Sequence, residues 1–121
     1  MMIKNLNDSI VWRKSYDLVL QIYKSTEDFP CRESYNLTTQ IRRSALSVVS
    51  NIAEGIMRET KYEFGHFLAI AKGSAGELMT QIELAEDMHY MTKDQASRFK
   101  TDLMEIIKIL FVISKKIRIK R

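Results

Sequence analysis

Two Glu-x-x-His pairs, Glu63/His66 and Glu86/His89, come nearest to a chemical motif in this sequence. Helical bundles that hold a pair of metal ions take one such pair from each of two helices, and a further Glu from each of the other two, all at one level. Here both pairs are expected on one helix, 23 residues apart, which at 1.5 Å per residue is about 34 Å. They cannot share a site within a chain, and two surface histidines near helix ends is the preferred reading. Cys31 falls in an expected linker with no His near it in sequence, so nothing marks it as a nucleophile, and a buried or idle thiol is expected. Ser44, Ser47 and Ser50 fall on a helix, without the strand–turn–helix elbow of a serine nucleophile. Gly73-Ser74-Ala75-Gly76 follows no strand and has no Lys after it, so it is not a phosphate-binding loop. No catalytic residue, metal ligand set or cofactor is expected, and the chain does not read as an enzyme.

Charge offers a different chemistry. The net charge is +4, yet residues 106–121 alone sum to +6 without an acid, so the rest of the chain sums to −2. Lys108, Lys115, Lys116, Arg118, Lys120 and Arg121 form this basic end. Such a stretch neutralises phosphates and gives salt-dependent, sequence-independent affinity for RNA or DNA. A solubilising end that complements the helix dipole accounts for it equally well. Arg42, Arg43 and Arg58 make a second candidate patch, for which ion pairs within or between subunits are the competing reading. No Trp or Phe stands beside the terminal charges to anchor them at a membrane surface.

The elements that must position these residues are helices. A chain of 121 residues that is 45% hydrophobic makes one domain with a real core, and one Pro with four Gly leaves little turn vocabulary. No run of 18 uninterrupted apolar residues occurs, so no membrane span is expected. The N-terminus has no continuous apolar segment and no small-residue cleavage site, so a signal peptide is not expected. A lone Cys fits a reducing, cytoplasmic setting.

Four helices are expected, at about 8–28, 34–58, 61–89 and 93–117, with Lys115 to Arg121 as a frayed end. Asn7 or Asp8 is the expected first N-cap. Val11, Leu18 and Ile22 form one edge of the first buried face, and Trp12, Tyr16, Val19 and Tyr23 the other. Phe29-Pro30 ends that helix. Helix two carries the stretch from Ile41 to Arg58, with Ile41, Ala45, Val48 and Ile52 on one face and Arg43, Ser47, Asn51, Glu54 and Arg58 on the other. Small polar residues bracketed by arginines suit close packing against a partner. A water-facing stripe with a Glu54–Arg58 pair is the alternative.

Thr60-Lys61-Tyr62-Glu63 and Thr92-Lys93-Asp94-Gln95 are capping-box patterns that start helices three and four. Helix three has a core line of Phe64, Phe67 or Leu68, Ala71, Ala75, Leu78, Ile82 and Ala85, and beside it small residues at Gly65, Ala69, Gly73 and Gly76. A helical Gly costs about 0.8–1 kcal/mol relative to Ala, so close approach of another backbone is expected there. Helix four has the line Phe99, Leu103, Ile106, Leu110, Ile113, Ile117. Between Leu103 and Ile113 only Glu105 and Lys108 are polar. That is more apolar surface than one core-facing stripe needs, and Ile107, Ile109, Phe111 and Val112 are expected to meet another subunit. Asn51, Glu54, Gly73 and Gly76 are further candidates for an oligomer or packing interface.

The run from Trp12 through Tyr23, Phe29-Pro30, Glu33, LTTQIRRSALSVVSNIAEG, Arg58, FLAIAKGSAGEL and the stretch Gln81 to Tyr90 resembles the bacterial four-helix bundle family named after the 23S rRNA intervening sequence. The resemblance covers residues 12 to about 113. Val49 stands where the family usually has Pro, and Ala75 where it often has Leu, and neither departure threatens the fold. The resemblance implies an all-α, antiparallel up-and-down four-helix bundle assembled as a ring-like homopentamer, similar in build to the accessory variability protein of diversity-generating retroelements, which binds nucleic acid. It brings no catalytic residues. The expected function is thus a non-catalytic homo-oligomer that associates with RNA or DNA. The rival is a scaffold or adaptor for another protein.

Overall fold

The computed structural model describes the backbone of residues 6–119 and the side chains of residues 6–117, and all regular structure in them is helical. Four helices follow one another: α1 (Ile10–Thr26), α2 (Leu37–Ile56), α3 (Lys61–Asp87) and α4 (Lys93–Ile119). Short 3-10 turns at Leu6–Asp8 and Cys31–Glu33 precede α1 and α2. α1 packs against α2 and α4, and α3 against α2 and α4, with the α2–α3 seam the most extensive.

Local hydrogen bonding sets the helix limits and moves several of them from where the sequence puts them. The first N-cap is Ser9, not Asn7 or Asp8. Leu6–Asp8 is itself a turn, closed by Ser9 N–H donating to Leu6 O at 2.9 Å. The Ser9 hydroxyl is then free to accept from Trp12 N at 3.2 Å. α2 starts at Leu37 and not near 34, because the chain leaving Pro30 first makes the Cys31–Glu33 turn. Glu33 Oε1 accepts the Leu37 N–H at 3.3 Å, doing from outside what an N-cap side chain does.

Thr60 Oγ1 accepts from Glu63 N at 3.1 Å and starts α3. At α4 the capping box is reciprocal: Thr92 Oγ1 accepts from Gln95 N at 3.1 Å, and Gln95 Oε1 from Thr92 N at 3.2 Å. α2 stops at Ile56, short of Arg58, and α3 at Asp87, short of His89. The reason at α3 is a Schellman turn. His89 adopts φ 63°, its N–H donates to Glu86 O, and Tyr90 N–H donates to Ala85 O, both at 2.9 Å. α4 runs on as helix to Ile119, beyond the expected fraying at 115. Lys120 and Arg121 lie outside the described residues.

Every helix contributes one apolar line to a common core. Val11, Leu18 and Ile22 come from α1, and Ile41, Ala45, Val48 and Ile52 from α2. Leu68, Ala71, Ala75, Leu78, Ile82 and Ala85 come from α3, and Phe99, Leu103, Ile106 and Leu110 from α4. Each large member buried in this way stabilises the fold by about 1.5–3 kcal/mol relative to leaving it exposed. Tyr16 and Tyr23, expected on the buried face of α1, are instead exposed at its edge.

The glycines divide. A Cβ at Gly65, Gly73 or Gly76 would meet nothing within 4 Å. Among the described residues no backbone of this chain approaches them, because they lie on the outer face of α3. Gly55 is the crowded one: a Cβ there would meet Phe64 Cδ1 at 3.0 Å, Phe67 Cβ at 3.2 Å and Phe64 O at 3.3 Å.

Candidate nucleic-acid interface

α4 is built in two halves. Its first half carries acids as well as bases, and from Ile106 onward it has only bases. Ile107 and Ile109 flank the buried Ile106–Leu110 line on either side and pack against the core, so these two are largely engaged within the chain. Phe111 and Val112 are different, at 58% and 52% exposed. Lys108, Lys115 and Lys116 are exposed, and Arg118 falls in the helix's last turn. These cations lie toward the negative end of the helix dipole, which favours them.

One member of the patch has no signal in the sequence. Lys72 of α3 holds its ammonium 4.5 Å from the centroid of the Phe111 ring, a cation–π contact. The two residues are far apart in the chain, and only the packing of α3 on α4 brings them together. The last acid on α4, Glu105, is drawn away to Lys14 of α1 at 3.5 Å. Farther back on the α3–α4 seam, Lys100 is paired with Glu83 and, at 3.3 Å, with Glu86. The hydrogen bond to Glu83 leads, and with Glu86 it outweighs partial burial and holds the Lys100 ammonium above the ordinary lysine range. Lys100 is thereby committed to the seam.

Arg42, Arg43 and Arg58 do not form one patch. Arg42 Nε donates to Thr26 Oγ1 at 2.8 Å and its Nη2 to Tyr23 O at 3.2 Å, with the guanidinium 4.8 Å from the Tyr23 ring centroid. It therefore closes the C-terminus of α1 from within the chain. Arg58 pairs with Glu54 Oε2 at 2.7 Å and lies 4.8 Å from the Phe67 centroid. Arg43 alone of the three has an exposed side chain without such engagement, and it stands on α2, which packs mainly on α3 and α1. The small polar residues of α2 face α3: the Ser47 and Ser74 hydroxyls share a hydrogen bond at 2.8 Å, and Asn51 Nδ2 donates to Ser47 O at 2.8 Å. The partner for that part of the stripe is in the same chain.

Glu63/His66 and Glu86/His89 sit at opposite ends of α3, with His89 past its last residue. Among the described residues no group of three or more His, Cys, Asp or Glu side chains could hold a metal ion. Cys31, expected buried or idle, is exposed. No described helix is long and apolar enough to cross a membrane.

The family model for the 23S rRNA-intervening sequence protein matches residues 7–112. The chain belongs to that family. It is also similar to the crystal structure of a protein of unknown function from the S23 ribosomal protein family of Bacteroides thetaiotaomicron. The two are 29% identical with a TM-score of 0.79, over 88% of this chain and 99% of that one. No curated protein matches. The family match ends at residue 112, so Phe111 and Lys108 lie inside it and the basic residues from Lys115 onward lie beyond it.

Proposed function

We propose that this member of the 23S rRNA-intervening sequence family is a non-catalytic, cytoplasmic module that binds RNA or DNA electrostatically, with weak sequence preference. In this reading it is an antiparallel up-and-down bundle assembled as a ring-like homopentamer. The observation that carries the nucleic-acid reading is the second half of α4, where exposed Lys108, Lys115 and Lys116 face no acid on their own helix beyond Glu105. Phosphate neutralisation by such groups releases counterions and makes affinity fall with salt. Several copies in one assembly would add avidity without any new contact.

Side-chain pairs support the antiparallel arrangement. Across α2 and α3, Gly55 lies against Phe64 while Ser47 meets Ser74. Across α3 and α4, Glu83 meets Lys100 while Lys72 meets Phe111. In each seam the position climbs on one helix as it falls on the other. The oligomer is supported by apolar side chains left outside the core, among them Ile70 at 40%, Leu46 at 47% and Val112 at 52% exposed.

The test is fluorescence anisotropy of a structured RNA and of duplex DNA across a salt series, with the full chain and with one ending at Ser114. Expected is binding that strengthens as salt falls and is mostly lost on truncation. Flat traces at the lowest salt, with the assembly intact by light scattering, would overturn the reading. An adaptor for another protein would then lead, favoured by Tyr35 in the α1–α2 connection and Tyr62 in the first turn of α3, which stand 94% and 82% exposed.

A further inference from the structure

We propose that Phe111, with Lys72, Lys108 and Lys115 around it, is a platform on which the bases of a single-stranded nucleic acid stack, so that single strands are preferred to duplexes. This rests on the nucleic-acid reading above and adds to it the class of ligand and the side chain that selects it.

α4 carries more apolar bulk than its core contact uses. Its core line is already complete with Phe99, Leu103, Ile106 and Leu110, yet Phe111 adds a large ring that is 58% exposed. Isolated exposed apolar residues are ordinary, and the neighbourhood is what distinguishes this one. Lys108 and Lys115 stand three residues before it and four after it, hence on the same helix face, and both are exposed. Lys72 reaches the ring from α3, its ammonium 4.5 Å from the centroid. Gly73 and Gly76 stand next to Lys72 and one turn beyond it, and both open onto space. They send no side chain over the approach to the ring.

An aromatic face bordered by cations is the combination that holds single strands: the cations follow the backbone while bases stack on the ring, with little regard to sequence. In a duplex the bases already stack on one another, so only the cations would act on it. Phosphate attraction alone favours the duplex, whose charge density is the higher. The exposed ring predicts the reverse.

The experiment measures the affinity of labelled oligo(dT) and of a labelled duplex of equal length for the full chain and for Phe111→Ala, Phe111→Leu and Phe111→Tyr. Mass is followed by light scattering. Phe111→Leu keeps apolar bulk without a stacking face, and Phe111→Tyr keeps the face, so a folding defect is separated from loss of the platform. Expected for Ala and Leu is a loss of about 5- to 100-fold on oligo(dT), with duplex affinity and mass unchanged and with Tyr close to the parent. Equal losses on both ligands, no loss on either, or a changed mass (Phe111 as a contact with a second copy) would overturn the proposal. If the parent chain binds duplex as well as oligo(dT), the platform fails while the electrostatic reading stands. Binding to neither ligand removes both.

Discussion

Gly55 and the pair Gly73 and Gly76 are the same residue type in similar helical settings, and they are there for opposite reasons. Gly55, next to last in α2, lies against the first turns of α3, with Phe64 and Phe67 close enough that a methyl group would need them to give by a few tenths of an ångström. Its cost in helix propensity is offset within the chain by the close packing of α3 on α2 at this point. Gly73 and Gly76 lie on the far side of α3, where an added methyl group meets nothing within 4 Å. Nothing among the described residues offsets their cost. A helical glycine with a neighbour reports on folding. One without a neighbour reports on something outside the fold.

The largest effect should come from filling the crowded position. Gly55→Val is expected to lower stability by about 1–3 kcal/mol, as overpacking does in a close-packed core, read as a lower urea midpoint at unchanged slope. A rise would mean that Phe64 and Phe67 swing aside and that the seam is looser than these distances state. The open positions should behave in the reverse sense. Gly73→Ala and Gly76→Ala are each expected to stabilise the isolated chain by about 0.8–1 kcal/mol through helix propensity. If a second copy packs on this face, the same substitutions weaken the assembly, and light scattering on dilution should show subunits separating at higher concentration than for the parent. Added stability with no change in assembly would break the comparison, leaving these glycines with no structural role.

What was legible in the sequence is what is encoded within a turn or two. The core lines from Ile41 to Ile52 and from Phe99 to Leu110 follow helical spacing, and Thr60 and Thr92 announce helix starts because the capping partners are three residues away. Even local signals misled where two candidates compete, as when a turn at Leu6–Asp8 left the capping to Ser9. The basic end of α4 could be read from charge alone. Lys72 could not, since nothing short of the α3–α4 register shows that it meets Phe111. The engagement of Arg42 was hidden for the same reason: its partners, Thr26 and Tyr23, belong to the preceding helix. The polar stripe of α2 suggested a partner, and sequence spacing alone did not say that for Ser47 the partner is Ser74 of the next helix.

His89 completes the comparison from the other direction, since it occupies a position that glycine would suit. It follows the C-terminus of α3 at φ 63°, and the turn it forms carries the Glu86 and Ala85 carbonyl bonds that close the helix. A side chain in this left-handed conformation costs about 1–2 kcal/mol, and glycine avoids that at the expense of greater freedom in the unfolded chain. The two terms oppose, and the steric one is the larger. His89→Gly is therefore expected to stabilise the fold by about 0.5–1 kcal/mol, a smaller gain than the two α3 substitutions combined. The companion His89→Ala retains a Cβ at the same φ and should not gain. Urea midpoints for the two variants separate backbone relief from any role of the imidazole. If alanine and glycine gain alike, it is the ring and not the backbone angle that burdens this turn, and the contrast between crowded, open and left-handed positions would no longer rest on conformation there.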